Sequence, residues 1–178
     1  GYSIRSNVGE SYRLGLELDA IFNINNKITL KPNFTISSNK NKNYFFEFDN
    51  ELKNFGNTDI SFSPNIIIGN SFEYSFNSGI KAFFNTKYVG KQFMSNTNDA
   101  SSLLSSFIVN DLGFSHNLFT NNFVKNARIK LLINNLLDRK YESFGGHYFY
   151  NIDNKTYSGA YYYPMAGINF LAGIDLIF

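Results

Sequence analysis

Hydrophobic and polar residues alternate along much of this chain, and the alternation is clearest over residues 161–178. Every second residue at the end of this stretch is apolar: Ile168, Phe170, Ala172, Ile174, Leu176 and Phe178. The face between them carries Asn169, Gly173 and Asp175, with Leu171 and Ile177 as exceptions. A period of two is that of a β-strand whose two faces meet different surroundings.

The same alternation predicts further strands at about residues 11–23, 27–37, 59–76, 80–94, 107–116 and 127–141. The segment 59–76 alternates most cleanly, and 107–116 alternates poorly. Pro32 interrupts the second strand, and because proline has no N–H for the ladder we expect a bulge there. The sequence therefore predicts an all-β fold of about seven long strands.

The predicted connections alternate between short and long. The long ones are the polar segments 38–58, 95–106 and 142–160. Short turns at one end and long loops at the other are typical of outer-membrane barrels, and each strand reaches the ~9–11 residues that a tilted membrane strand needs. The pattern favours an antiparallel up-and-down transmembrane β-barrel. About seven strands that start outside cannot close under the even-number rule, so we interpret the chain as the C-terminal fragment of a larger barrel.

Composition excludes several classes of function. The chain has 178 residues, no cysteine and a formal net charge of +2. Scattered Lys and Arg residues give no nucleic-acid footprint, and the lack of cysteine excludes disulfides and thiolate metal sites. We find no paired carboxylates beside a nucleophile, no phosphate-binding loop and no metal-ligand cluster. We therefore predict no enzyme activity and no cofactor.

Charged residues of both signs fall on the polar faces of the predicted strands. We expect them to pair across strands and to form a polar wall against water. These residues are Arg13, Glu17, Asp19, Lys31, Glu73, Lys81, Lys87, Arg128, Lys130 and Asp175.

Four segments carry a resemblance to a known family. Residues 7–18 (NVGESYRLGLEL) are similar to the family strand N-x-G-x-S-x-x-x-G-V-E-L, and residues 59–64 with 88–93 (DISFSP, YVGKQF) resemble its L-x-x-x-P and Y-V-G-x-x-Y strands. Residues 134–141 (NNLLDRKY) resemble N-N-L-F-x-x-x-Y, and 164–178 resemble the closing strand. In family order, these segments resemble the C-terminal barrel portion of a TonB-dependent outer-membrane receptor.

The resemblance implies a fold, a location and a function. A complete receptor of this family is a 22-stranded barrel with a plug domain that contacts TonB, so residues 1–178 would be the C-terminal part, without the plug. The implied protein is integral to the bacterial outer membrane and takes up a scarce nutrient with TonB energy. An iron-siderophore complex is the default ligand, with haem, cobalamin and oligosaccharide open. Its implied partners are membrane lipid, the barrel-assembly machinery and the TonB complex through the plug.

The resemblance and the strand pattern also suggest site residues. Gly173, Leu176 and Phe178 match the terminal signal read by the barrel-assembly machinery, although Leu171 departs from the pattern. Two aromatic girdles are expected at the lipid headgroups. Their members are Tyr12, Tyr88, Tyr141 and Tyr162 near the external ends of strands, and Phe22, Tyr74, Phe76 and Phe178 near the internal ends.

The last long loop carries aromatic residues that either stack on a ligand or pack the loop against its neighbours. They are His147, Tyr148, Phe149, Tyr150 and Tyr161, with Tyr162 and Tyr163 beside them. His147 could ligate haem iron, but no second iron ligand accompanies it, so we interpret this histidine as having no role in haem binding. His116 falls in or near an internal turn and suggests no function.

Two other interpretations remain open. One is a complete small outer-membrane barrel that acts as a passive pore or an anchor. The other is a soluble, secreted β-sandwich that binds carbohydrate. The sandwich predicts that a second sheet covers the apolar face of the strands.

Overall fold

Seven long antiparallel strands form one continuous sheet, which we call the wall. The computed structural model describes residues 9–118 and 123–178. The wall strands are β1 (Ser11–Asp19), β2 (Ile28–Asn41), β3 (Ile66–Ser75), β4 (Ile80–Val89), β5 (Phe107–Asn117), β6 (Asn126–Asn134) and β7 (Asn169–Ile177). Each strand pairs with the next in chain order, from β1 to β7. The all-β, up-and-down prediction is confirmed, and among the described residues neither β1 nor β7 has a pairing strand on its outer side.

The two faces of the wall differ in chemistry as the alternation predicts. In one register row Leu30, Phe72, Phe84 and Leu112 lie side by side on the apolar face. That face is open to the surroundings: Leu16 is 53% exposed, Ile68 42% and Leu131 41%. A β-sandwich would need a second sheet over it, and the described part of the chain forms none there.

The opposite face carries cross-strand ion pairs. Lys31 Nζ lies 2.6 Å from Glu73 Oε1 between β2 and β3, and Lys130 pairs with Asp175 between β6 and β7. The predicted pairing across strands is confirmed for these four residues. Because the side chains are about half exposed, we expect each pair to contribute no more than about 1 kcal/mol.

Pro32 does not form the predicted bulge. The β2–β3 register runs unshifted through Pro32, which lies opposite Asn70. On the other side, Ala20 N–H donates to Pro32 O at 3.1 Å. The return bond to Ala20 is impossible because proline has no N–H. The missing bond coincides with a gap after β1, beyond which Phe22–Asn23 resume pairing with β2 in the same register.

Several predicted strands were too long at their loop ends. The third begins at Ile66 rather than residue 59, and the fourth ends at Val89. The sixth ends at Asn134, and the seventh begins at Asn169 rather than at residue 161. Left-handed backbone explains two of these ends: Phe62 has φ +51° before β3, and Asn135 has φ +49° directly after β6. A strand cannot continue through that conformation.

The long connections contain structure that the sequence interpretation missed. The first holds a hairpin of Phe45–Phe48 and Glu51–Asn54, here the front hairpin, and the last holds one of Glu142–Ile152 and Lys155–Pro164, here the aromatic hairpin. Asp-Asn pairs with positive φ, at 49–50 and 153–154, make both turns, as type I′ turns require. Smaller elements are strands Gln92–Phe93 and Leu103–Leu104, a 3₁₀ turn at Ala100–Ser102, and Thr58–Asp59 paired to the end of β2.

The small buried core lies mainly at the loop end of the wall. Tyr44, Val89, Met94 and Leu104 are buried there, and Leu104 is 1% exposed. The middle of the wall therefore lacks a conventional core within the described residues, and packing concentrates where the long loops meet. No helix in the described ranges is long and apolar enough to cross a membrane.

Candidate functional site

The aromatic hairpin presents an exposed face of aromatic side chains, which we call the aromatic face. Its two strands alternate around the Asp153-Asn154 turn, so that every second residue shares a face. The residues of this face are about half exposed: Phe144, Tyr148, Tyr150, Tyr157, Tyr161 and Tyr163, with Ile152 near the tip. These side chains therefore form one exposed aromatic surface along the hairpin.

Ring contacts hold the aromatic face together. Tyr150 stacks on Tyr157 across the hairpin, with centroids 5.7 Å apart, and Tyr148 lies 6.1 Å from Tyr150. Nearer the wall, Tyr163 lies 6.0 Å from Phe144 and 5.6 Å from Tyr161. Such pairs contribute about 0.5–1.5 kcal/mol each beyond burial.

Two glycines make room for the rings. A Cβ atom on Gly146 would lie 2.4 Å from the Tyr161 ring, and one on Gly159 would lie 2.6 Å from the Tyr148 ring. Both rings therefore lie flat over the opposite strand. This close approach limits the orientations that the two tyrosine rings can adopt.

The aromatic face lies on the polar side of the wall. Phe144 stacks on Phe62, with centroids 5.3 Å apart. Phe62 lines a cleft of about 390 Å³ with polar-face residues of β1 and β2, including Arg13, Glu17 and Thr35. Arg13 Nη1 donates to Ser63 Oγ at 2.9 Å within this cleft. The aromatic face is therefore continuous with the polar surface of the wall.

The reverse side of the aromatic hairpin packs on other loops. Phe149 lies 4.8 Å from Phe46 of the front hairpin and 6.4 Å from Phe48. A Cβ atom on Gly145 would lie 2.7 Å from the sulfur of buried Met94. These contacts join the three long connections into one assembly at the loop end of the wall.

A polar cluster, here the His147 cluster, binds the same reverse side to the 3₁₀ turn. Ser101 Oγ lies 2.7 Å from Asp99 Oδ1 and 3.1 Å from His147 Nε2, and Ser158 Oγ donates to Asp99 Oδ2 at 3.2 Å. The Tyr162 hydroxyl donates to Ser101 O at 2.8 Å. The His147 side chain is fully buried, and its Nδ1 has no hydrogen-bond partner.

Burial, hydrogen bonds and charge together set the protonation of this cluster. Burial lowers the pKa of the His147 ring below its ordinary value, against the opposing field of the Asp99 carboxylate. Burial alone would raise the pKa of Asp99, but hydrogen bonds from Ser101 and Ser158 and the charge of His147 outweigh it and lower that pKa. The structure therefore favours a neutral His147 beside an ionised Asp99.

The structure separates the loop residues named from the sequence. Tyr148, Tyr150 and Tyr161 lie on the aromatic face, whereas His147 and Phe149 point to the reverse side. His147 was expected among exposed aromatic residues and is instead buried in the His147 cluster, because the segment is a hairpin with two distinct faces.

Sequence reasoning missed three members of the aromatic region: Phe62, Phe144 and Tyr157. It also missed Asp99 and Ser101. The signal for the hairpin residues was present, because aromatic residues at alternate positions flank an Asp-Asn turn signal. Nothing local could have shown that Phe62 joins them.

The residues predicted for aromatic girdles occupy different settings. Tyr12 and Tyr88 lie on wall strands near the loop end, and Tyr74 contacts Phe76 edge to face at 4.6 Å near the opposite end. Phe22 pairs with Leu30 beyond the gap in β1. Two residues lie in the loops instead of the wall: Tyr141 stacks on Phe107 at 4.4 Å, and Tyr162 belongs to the aromatic hairpin.

The residues of the proposed assembly signal lie along β7 and just beyond it. Gly173 has open space where a Cβ would stand, opposite Lys130 of β6, and Leu176 lies opposite Ala127. Phe178 is 62% exposed and meets Phe123 edge to face, with centroids 5.4 Å apart.

Solved structures share this architecture. The siderophore receptor PiuA from Acinetobacter baumannii matches 94% of this chain with a TM-score of 0.71 and 20% identity, over 22% of its own length. The chain has the fold of a segment of a siderophore receptor. The ferric-catecholate import receptor Fiu from E. coli K12 matches 94% (TM-score 0.64, 15% identity, 21% of its length). The ferric yersiniabactin uptake receptor FyuA from Yersinia pestis matches 97% of this chain with a TM-score of 0.62 and 18% identity, over 24% of its own length.

The siderophore-receptor fold is shown by structure rather than by sequence. No protein-family model matches the chain, and comparison with curated protein sequences gives no match. The chain spans between a fifth and a quarter of the length of the three receptors above. The fold class expected from the resemblance is confirmed.

Proposed function

We propose that this chain is the C-terminal barrel portion of an outer-membrane receptor that takes up a small-molecule ligand, by default an iron-siderophore complex. The energy would come from TonB through a plug domain outside residues 1–178. One observation carries the proposal: a wall with an open apolar face and an ion-paired polar face supports an aromatic platform on its polar side. The fold of siderophore receptors agrees with it.

The open apolar face supports a membrane location. Large side chains are exposed along it from β1 to β7, including Leu14 at 72% and Phe170 at 65%. Soluble monomers rarely expose contiguous apolar patches above a few hundred Å². In lipid the exposure of this face carries no hydrophobic penalty, and strands β2 to β6 satisfy their backbone groups by pairing on both sides.

The aromatic face supports ligand binding. Tyrosine offers a large, rigid, amphipathic surface, and aromatic residues dominate binding hot spots. The rings of Tyr148 and Tyr161 are held over glycines, so little conformational entropy is lost when a ligand stacks on them. The polar cleft below Phe62 then leads from the aromatic face onto the polar side of the wall.

Two assignments accompany this function. Gly173, Leu176 and Phe178 would serve as the signal for the barrel-assembly machinery, and the aromatic residues at the two ends of the wall would meet the lipid headgroups. Both are proposals that follow from the membrane location.

A binding experiment tests the proposal. The full-length protein is assembled in outer membranes, and its affinity for ferric-siderophore complexes is measured for the parent and for Tyr150→Ala/Tyr157→Ala. We expect the double variant to bind about tenfold more weakly or worse, because hot-spot aromatics contribute about 1–2 kcal/mol or more each. Tyr12→Ala, at an exposed tyrosine of the wall, is the matched control.

Two results would reject the proposed function. The first is recovery of the protein in the soluble fraction instead of the outer membrane. The second is a parent protein, correctly assembled, that binds none of a panel of ferric-siderophore, haem, cobalamin and oligosaccharide ligands.

A further inference from the structure

The direction of the hydrogen bonds in the His147 cluster follows from its geometry. The Ser101 hydroxyl has one proton and lies 2.7 Å from Asp99 Oδ1 and 3.1 Å from His147 Nε2. The carboxylate is the stronger acceptor, so Ser101 donates to Asp99 and accepts from the N–H of His147 Nε2. This assignment leaves Nδ1 as the unprotonated nitrogen of the ring.

A second proton on His147 would have no suitable place. It would bind at Nδ1, which is buried and has no hydrogen-bond partner. An unpaired charged group in such a site carries a large desolvation cost. Asp99 offsets part of this cost, since its Oδ2 lies 3.9 Å from Nε2 on the other side of the ring.

Each element packed around His147 contributes specific charged, polar or aromatic groups. The 3₁₀ turn contributes Asp99, whose charge acts on the ring, and the aromatic hairpin contributes Ser158, the Tyr162 hydroxyl and the uncharged ring of Phe149, 4.7 Å away. The front hairpin reaches this region through Phe46, which packs on Phe149. Asp49 of that hairpin is bonded to Thr156 nearer the tip.

We infer that the His147 cluster is a proton-sensitive clasp that holds the aromatic hairpin on the 99–102 turn near neutral pH and releases it in acid. The inference rests on the proposed function for its consequence. Release of the hairpin displaces the aromatic face from the polar side of the wall, so ligand binding by that face weakens in acid.

The sign follows from linkage between proton binding and conformation. A released, hydrated histidine has an ordinary pKa of about 6.5, and the clasped His147 has a lowered pKa. The released form therefore binds more protons over the interval between these two values. The clasp is at full strength above the ordinary pKa and weakens as the pH falls through the lowered one.

A distance measurement in the full-length protein tests the clasp without any ligand. The chain has no cysteine, so Ala100→Cys and Ile152→Cys, both at exposed positions, accept nitroxide labels once any cysteine outside the chain is replaced. We expect one narrow distance distribution at about pH 8 and a longer, broader one at about pH 5 by pulsed electron spin resonance.

Three variants separate the clasp from general acid effects. His147→Gln keeps an N–H donor but cannot titrate, so the distance should be the same at both pH values. His116→Gln replaces the other histidine of the chain, on β5, and should leave the acid response intact. Ser101→Ala removes the acceptor of the His147 N–H and should broaden the distribution already at about pH 8.

An unchanged distance between the two pH values in the parent protein would overturn the inference. So would an acid response that survives in His147→Gln. If His147→Gln does not assemble, an unaltered distance in Ser101→Ala at both pH values has the same meaning. None of these measurements involves a ligand, so the experiment can reject the clasp without rejecting the proposed receptor function.

Discussion

Asp49 and Thr156 are joined by two reciprocal hydrogen bonds. The backbone N–H of each residue donates to the side-chain oxygen of the other, and both bonds measure 2.6 Å. Asn50 Nδ2 adds a bond to Asn154 Oδ1 at 2.9 Å. The tips of the front and aromatic hairpins, far apart in the sequence, are thus tied by matched Asp-Asn turns.

Removing the Thr156 hydroxyl should loosen the two tips. Thr156→Val keeps the shape of the side chain but leaves the Asp49 N–H without its acceptor, at a local cost of about 1 kcal/mol. We expect amide exchange of Asp49 to accelerate about fivefold, measured by hydrogen-deuterium exchange. Thr35→Val on β2 is the control, and equal exchange in the two variants would contradict the expected coupling.

The ring of Phe83 should make Gly113 intolerant of a side chain. On the polar face, a Cβ atom on Gly113 would lie 2.0 Å from Phe83 Cζ. Gly113→Ala should therefore lower the free energy of unfolding, measured with urea, by about 1–3 kcal/mol. The cost should fall sharply in a Phe83→Leu background, and additive effects of the two substitutions would show that the ring is not responsible.

Asn135 should anchor the base of the aromatic hairpin. Its side chain, 3% exposed as a residue, donates to Arg139 O and Ala166 O and accepts from Arg139 N, and its backbone N–H donates to Asp111 Oδ1. Asn135→Ala removes the side-chain partner of three part-buried backbone groups and puts Ala, which tolerates left-handed backbone less well than Asn, at φ +49°.

The expected loss for Asn135→Ala is about 2–4 kcal/mol in urea unfolding. Asn151→Ala, on the exposed outer part of the same hairpin, should change stability by no more than about 0.5 kcal/mol. Similar losses in the two variants would argue against a specific anchoring role for Asn135.

Deleting Phe178 should lower the amount of protein assembled in the outer membrane. The expected cause is loss of the proposed assembly signal and not a loss of packing. The ring contact described for Phe178 is one edge-to-face contact with Phe123. Heat-modifiable mobility of membrane fractions on gels measures the assembled amount. Deletion should leave the unfolding midpoint of the remaining folded protein nearly unchanged, and undiminished assembly would reject the signal.

Strand positions and faces could be predicted because apolar and polar residues alternate regularly along each wall strand. Leu30, Phe72 and Phe84 alternate with polar residues, and pairing then aligns them in one row. The loop ends could not be predicted in the same way. Phe62 and Asn135 adopt left-handed backbone for reasons that lie in tertiary contacts, and their sequences alone also fit continued strands.

The candidate site was only partly predictable. Tyr148, Tyr150 and Tyr161 were named as aromatic loop residues, but their common face appears only when the segment is paired as a hairpin. The burial of His147 depends on Asp99 and Ser101 from another connection, so no local pattern reveals it. Long-range contacts between loops are therefore the main information that the sequence pattern lacks.

The outer rims of β1 and β7 have a practical consequence for anyone who produces this chain alone. Within the described ranges, the outer edges of both strands present backbone amides and carbonyls that no strand pairs with, beside exposed apolar side chains such as Leu14 and Phe170. Such rims recruit further copies into sheet-like aggregates. Inclusion bodies are the expected product of expressing residues 1–178 in isolation, and the folded wall should be recovered, in lipid or detergent, only when flanking strands pair with both outer edges.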